Sequence, residues 1–327
     1  MESELLILAV MVAVFAGGCF GLKLPVALGL VAASVAGALV AGTGVPIRHL
    51  VEGMFSFFDF LLIIATAMIY MKVLQHTGVM DTLGRQVTEA FYRKPSLLLM
   101  VLMLLILFPG AITGSSTACV FTTGALVAPV MMNLGIPRVQ TAAIIAIGSL
   151  LGMIAPPVCL PAMIIGEGLD MPYVGFFWPL TLLTVPLAMF FVLAMGRRYV
   201  RRDIDIAELS ASMPPSLFAD YGWKLYLPLG VLFALMVAPK AAPQYIYDPG
   251  LSFAFVISTA VGLFTGRKIR FLQTARAAMK EAIPIMGILM GVGMFIQVMT
   301  LTGARGAFVV TSLTLPKAWL LLAVATA

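Results

Sequence analysis

Long apolar blocks separated by short polar clusters set the pattern of this chain. Leu5 to Gly21 and Leu24 to Ala41 are the first two blocks, joined by a tight turn at Lys23 and Pro25. Each predicts a membrane-spanning helix, because about 20 apolar residues at about 1.5 Å rise cover a hydrocarbon core about 30 Å thick. Val45 to Gly53 carries Arg48, His49 and Glu52 and predicts a short interfacial helix. Met54 to Leu74 is a third span, closed by His76-Thr77-Gly78. From Asp81 to Arg93, Leu83, Val87 and Phe91 share one face against Asp81, Arg85 and Glu89, which predicts an amphipathic helix along the membrane surface.

The next stretch departs from that pattern. Ser96 to Leu107 and Ala118 to Met132 are apolar arms, and between them Thr113-Gly114-Ser115-Ser116-Thr117 forms a polar knot. With helix ending before Phe108, each arm is about 20 Å long, short of a core about 30 Å thick. The pair predicts a re-entrant hairpin. Irregular backbone at membrane depth is tolerated only against protein or a polar cavity. Gly110 and Gly114 free the backbone, Ser115, Ser116 and Thr117 add hydroxyls, and helix-end carbonyls complete a neutral, oxygen-rich shell of the kind hard cations such as sodium prefer. Small residues also let membrane helices pack closely; the unbroken polar run between two short arms favours the cavity.

Beyond Gly135-Ile136-Pro137, the apolar run Val139 to Ile154 stops at Ala155-Pro156-Pro157 and resumes from Val158 to Ile165. Adjacent prolines withhold two backbone donors and push the preceding residue out of the helical region. The stretch predicts one span broken at mid-membrane, its unwound elbow set beside the hairpin tip; a plain proline kink is the simpler alternative. Phe176 to Ala194 returns across the membrane and ends at Arg197-Arg198. Tyr199 to Trp223, with Arg201, Arg202, Asp203, Asp205 and Glu208, reads as a linker. Leu225 to Ala238, Leu251 to Thr265 and Pro284 to Leu301 are three more spans, Lys268 to Glu281 a basic surface helix, and Leu315 to Ala327 the start of another arm.

An internal repeat explains this order. A shift of about 225 residues lays Val73-Leu74-Gln75-His76-Thr77-Gly78 on Val298-Met299-Thr300-Leu301-Thr302-Gly303 and brings Lys94-Pro95 close to Pro316-Lys317. The first copy covers 1–196: scaffold helices 4–76, surface helix 81–93, re-entrant hairpin 96–134, broken helix 138–168 and return span 172–196. A cytoplasmic linker, 197–224, leads to an incomplete second copy, 225–327. That copy stops before a tip or elbow of its own, and roughly 100 further residues, in this chain or another, are expected to supply them. With the linker inside and the hairpin re-entrant, all of the 20 Lys and Arg except Arg48, Lys240, Arg305 and Lys317 fall on the cytoplasmic side. The copies then run in opposite orientations, as inverted repeats of secondary transporters do.

Composition narrows the class further. Of 327 residues, 61% are hydrophobic and 10% charged, with mean hydropathy +1.08, outside the soluble globular range. The expected fold is therefore an all-α polytopic membrane protein. The start, Met1-Glu2-Ser3-Glu4, is acidic, so no separate secretory leader is expected. A net charge of +6 would suit nucleic acid, but the cations stand at the ends of apolar segments, and topology accounts for them. Cys19, Cys119 and Cys159 lie far apart and His49 and His76 lack partners at metal spacing, so neither a disulfide nor a zinc site is expected, and no cofactor. An intramembrane enzyme would need a nucleophile beside a base, and neither arm around Ser115 and Ser116 contains a histidine. Asp59, among Phe57, Phe58 and Phe60, is placed to snorkel from a span end.

Gly114-Ser115-Ser116 in a hairpin, then Leu134-Gly135, then Gly152-Met153-Ile154-Ala155-Pro156-Pro157 in a broken helix, resembles the large membrane subunit of tripartite ATP-independent periplasmic (TRAP) transporters, the DctM-like permeases. The resemblance covers nearly the whole chain. It implies an elevator-type secondary transporter of the bacterial inner membrane that uses sodium as coupling ion to import an organic acid, such as a C4-dicarboxylate or sialic acid. It also implies two partners, a small four-helix membrane subunit and a periplasmic substrate-binding protein. Carried over by residue, the sodium half-site comprises Gly114, Ser115, Ser116 and Thr117 with Ser149, Gly152 and Pro156, while Ser116, Thr117 and Pro157 face the substrate. The chain departs from the family pattern in lacking a second hairpin and second broken helix. A stand-alone sodium/dicarboxylate symporter shares the same hairpin and broken-helix logic and, with a non-transporting scaffold, stays open as an alternative.

Overall fold

The computed structural model describes residues 2–168, 171, 173–200, 213–242, 244–245, 247–314 and 316. In chain order its main helices are α1 (Glu2–Ala16, extended by a π turn, Gly17–Gly21), α2 (Val26–Val40), α3 (Ile47–Ser56), α4 (Phe58–His76), α5 (Val79–Phe91), α6 (Pro95–Thr113), α7 (Ser116–Asn133, with a π turn at Val120–Gly124), α8 (Arg138–Ile154), α9 (Leu160–Gly168), α10 (Phe177–Gly196), α11 (Leu227–Ala241), α12 (Gly250–Thr265), α13 (Phe271–Leu301) and α14 (Ala304–Thr314). Among the described residues there is no strand, and seven helices are long and apolar enough to cross a membrane. The chain is an all-α polytopic membrane protein. Arg201, Arg202, Asp203, Asp205 and Glu208 of the linker, and Leu315 with Lys317 to Ala327 of the last arm, lie outside the described residues.

The chain forms two compact units, Met1–Leu61 with Ile283–Ala327, and Leu62–Ala282. In the first, Lys23 turns the chain with a left-handed φ of 54°, and α2 folds back on α1. Gly37 makes their contact close: a Cβ there would lie 2.4 Å from Met11 Cγ. Met11, Ile7, Ala38 and Val298 form one buried cluster of this unit. The short helix α3 carries an exposed Arg48–Glu52 ion pair at 2.8 Å on its polar side, and on the other side its backbone meets that of α13, where a Cβ on Gly53 would lie 2.5 Å from Gly293 O.

In the second unit α6 is the central element, packed by α5, α8 and α10. Leu98, Leu99, Leu102, Met103 and Ile106 of α6 are fully buried. Helix α4 ends at Gly78, whose φ of 82° only glycine adopts at low cost, and the Thr77 hydroxyl donates to Val73 O at 2.7 Å. Helices α11 and α12 pack together and hold α4 through Tyr70, whose hydroxyl donates to Pro228 O at 3.2 Å and whose ring lies 5.7 Å from that of Phe255. The described end of the linker is anchored rather than free. Leu217 N donates to Thr82 Oγ1 at 3.2 Å and Tyr226 OH to Gln86 Oε1 at 2.6 Å, both on α5.

Two expectations need correction. The hairpin arms are longer than the residue pattern implies, because helix runs through Pro109 and Gly110 to Thr113 and resumes at Ser116. At 19 and 18 residues they reach about 28 and 27 Å, so shortness no longer argues for re-entry. Helix α5 is the amphipathic helix expected over Asp81 to Arg93; it buries Met80, Thr82, Gly84 and Thr88 and leaves Leu83, Val87 and Phe91 half-buried. Its small residues allow close approach to the hairpin, where a Cβ on Gly84 would meet Leu126 Cδ2 at 2.6 Å. Lys268 to Glu281 is not a separate surface helix: it joins the span after it in the 31 residues of α13, through Pro284. Asp59 is exposed in the first turn of α4, where the helix dipole favours a carboxylate.

Candidate functional site

Four helix ends meet in the second unit. Helix α6 stops because Gly114 takes φ 63°, its N–H still donating to Gly110 O at 2.8 Å. Ser115 is extended (φ −125°, ψ 115°) and caps α7, its hydroxyl accepting from Ala118 N at 3.3 Å. The Thr113 hydroxyl donates to Pro109 O at 2.7 Å and accepts from Ser115 N at 3.3 Å. Two residues thus reverse the chain with their polar groups engaged, as burial demands.

The break after α8 has a different cause. Pro156 and Pro157, joined by a cis peptide, bring no N–H, so the carbonyls of Gly152 and Met153 lose their helical donors. Ala155 is extended (ψ 144°), and its N–H turns back to Leu151 O at 2.9 Å and Gly152 O at 3.1 Å. Helix restarts at Leu160.

Tip and elbow are joined directly. Val158 N donates to Ala111 O at 2.9 Å, and a Cβ on Gly114 would lie 2.9 Å from Leu160 Cγ. A Cβ on Gly110 would lie 2.7 Å from Gly152 C, and one on Gly152 2.8 Å from Leu107 O. Helices α6 and α8 therefore cross backbone on backbone. The carbonyl ends of α6 and α8 and the N–H ends of α7 and α9 gather in one place. Carbonyl ends attract a cation and N–H ends an anion.

The residues named from sequence take different parts in this arrangement. Gly114 and Ser115 make the reversal, and Ser115 is buried with its oxygen already accepting one bond. Ser116 is half-buried and Thr117 exposed, so theirs are the open hydroxyls; Pro156 and Pro157 are half-buried. Pro157 also lines a cavity of about 120 Å³ with Tyr173 and Asp248. Gly152 belongs to the seam between helices. Ser149, one turn before the break, is buried, and its hydroxyl lies beside the Cys119 thiol. Sequence reasoning missed Tyr173, whose hydroxyl accepts from Cys159 N at 3.1 Å and so fixes the elbow's exit. No spacing or periodicity links those two positions. Thr113 was visible as part of the polar knot, but not its role in closing the turn. Cys119, a free thiol, donates to Ile106 O.

A hairpin tip set against a proline-broken helix in an all-α polytopic chain is the architecture of transporters with discontinuous helices. A family model for the tripartite ATP-independent periplasmic transporter, DctM component, matches residues 5–327, and the chain belongs to that family. It is thus a membrane permease component of a TRAP transporter. No curated protein matches the chain.

Proposed function

We propose that this chain couples sodium to the import of an organic acid, with the tip and elbow as the first half-site. The carrying observation is the meeting of four helix ends. Carbonyl ends of α6 and α8 and the open hydroxyls of Ser116 and Thr117 offer neutral oxygens to sodium, and the N–H ends of α7 and α9 offer a place for a carboxylate beside it. Ser149 supplies a buried hydroxyl one turn before the end of α8. Gly152 and Pro156 shape the half-site through backbone, and Pro157 faces the substrate side with Ser116 and Thr117. A small four-helix membrane subunit and a periplasmic binding protein that delivers the acid are the partners the family description supports, with the bacterial inner membrane as the location.

We also infer that the chain is an inverted repeat working as an elevator. At a shift of about 225 residues, α1 falls on α11, α2 on α12, α3 with α4 on α13, and α5 on α14, with starts agreeing to about one residue. The stop signals correspond too: Gly78 and Gly303 have φ of 82° and 74°, and the hydroxyls of Thr77 and Thr302 donate to Val73 O and Val298 O.

The test is uptake in proteoliposomes that contain the chain with its small subunit and binding protein. Ser115→Ala with Ser116→Ala is expected to abolish the sodium dependence of uptake while the protein keeps its elution profile on gel filtration. Sodium dependence equal to wild type in the folded double variant would overturn the ion-site assignment.

A further inference from the structure

We propose that the recess at the junction of α4, α12 and α13 binds the phosphate headgroup of an anionic phospholipid. Arg267, Lys268 and Arg270 stand on the turn between α12 and α13, all three exposed. Among the described residues none of them pairs with a carboxylate. They line an open recess of about 480 Å³ completed by His76, Gln273 and Thr274, with no Asp or Glu in its wall. The nearest acid along α13, Glu281, is held by Lys72 at 2.6 Å.

The turn is fixed in place before any ligand arrives. Gly266 packs on Thr77, where a Cβ would lie 2.7 Å from Thr77 Cβ. Arg267 N donates to Thr77 O at 3.3 Å, and His76 Nδ1 lies 3.2 Å from Thr274 Oγ1. Cations confined on a pinned turn repel one another unless an anion lies among them. The start of the 31-residue α13 adds positive dipole at the same point. A phosphate group meets these demands, since it takes several N–H donors at once.

The surroundings select a lipid over free phosphate. Phe264 on the last turn of α12 and Leu272 on the first turn of α13 are 88% and 81% exposed. They flank the cations on either side in sequence. Acyl chains cover such side chains, whereas a soluble anion leaves them bare. Basic pockets between membrane helices are a known chemistry for acidic headgroups.

Native mass spectrometry of the full chain in detergent, titrated with phosphatidylglycerol, phosphatidylcholine or inorganic phosphate, tests this. Wild type is expected to hold phosphatidylglycerol in preference to phosphatidylcholine. The triple variant Arg267→Gln, Lys268→Gln, Arg270→Gln is expected to lose that affinity by about fivefold per cation, and Arg267→Lys with Arg270→Lys to keep most of it. Removing charge elsewhere, by Arg197→Gln with Arg198→Gln, should leave it unchanged. Equal phosphatidylglycerol binding by wild type and triple variant overturns the site, as does an equal loss in the Arg197 and Arg198 variant. Displacement of phosphatidylglycerol by millimolar inorganic phosphate overturns the lipid in favour of a free anion. Should the triple variant aggregate, Lys268→Gln alone carries the test, with a loss of about fivefold expected and no loss refuting it.

Discussion

At the residue scale, glycine decides how closely α6 can approach α8. A methyl group on Gly152 would stand 2.8 Å from Leu107 O, a backbone atom that cannot move aside by a rotamer change. Gly152→Ala is therefore expected to cost about 1–3 kcal/mol as overpacking, read as a lower thermal midpoint of the purified chain. Gly230 in α11 has nothing within 4 Å of its missing Cβ, so Gly230→Ala should stabilise the chain by about 0.5–1 kcal/mol through helix entropy, read as a higher midpoint. Equal shifts of the same sign in the two variants would refute the seam. Ser115 needs separate care, because losing its cap costs about 1 kcal/mol by itself, and any transport defect of Ser115→Ala must be judged on folded protein. The polar knot from Thr113 to Thr117 marked the tip in the sequence. The seam was hidden, because which face of α6 meets which face of α8 depends on packing that no local pattern encodes.

At the element scale, proline separates the boundaries legible in sequence from those that are not. Pro109, Pro129, Pro186, Pro239 and Pro284 all sit inside continuous helix, whereas the adjacent pair Pro156-Pro157 ends one. A single proline removes one hydrogen bond, and the flanking turns carry the helix across. Two in succession remove neighbouring bonds and also force Ala155 out of the helical region. Ending the first hairpin arm at Leu107 and the surface helix at Glu281 made that arm too short and divided α13. The continuity of α13 sets Glu281 within reach of Lys72 on α4, at 2.6 Å. Lys72 is only 17% exposed, so Glu281→Gln leaves a poorly solvated ammonium and is expected to cost about 1–2 kcal/mol, discounted for the half-open carboxylate. Lys72→Met combined with Glu281→Gln should cost less than the sum of the single changes. Additive losses in chemical unfolding would remove the pair from the account.

At the scale of the molecule, the apolar blocks were enough to give the polytopic all-α class and the order of its helices, since a helix crossing lipid must satisfy its backbone within itself. The division into two units was not legible, because it falls inside α4 and α13, where the sequence carries no boundary signal. Orientation rests on the positive-inside count and is open to direct measurement. In a variant lacking Cys19, Cys119 and Cys159, cysteines introduced as Arg85→Cys on α5 and Arg276→Cys on α13 are expected to resist a membrane-impermeant maleimide added from outside. Fast labelling of either would invert the assigned topology. The crossing of Gly110 and Gly152 bears on how the second unit transmits load. Side chains in a packed interface yield by changing rotamer, but a joint of backbone on backbone has no such compliance. Val158 N on Ala111 O closes the joint a turn further along. A push on α8 is therefore delivered to α6 without slack, and the tip and elbow travel as one stiff block.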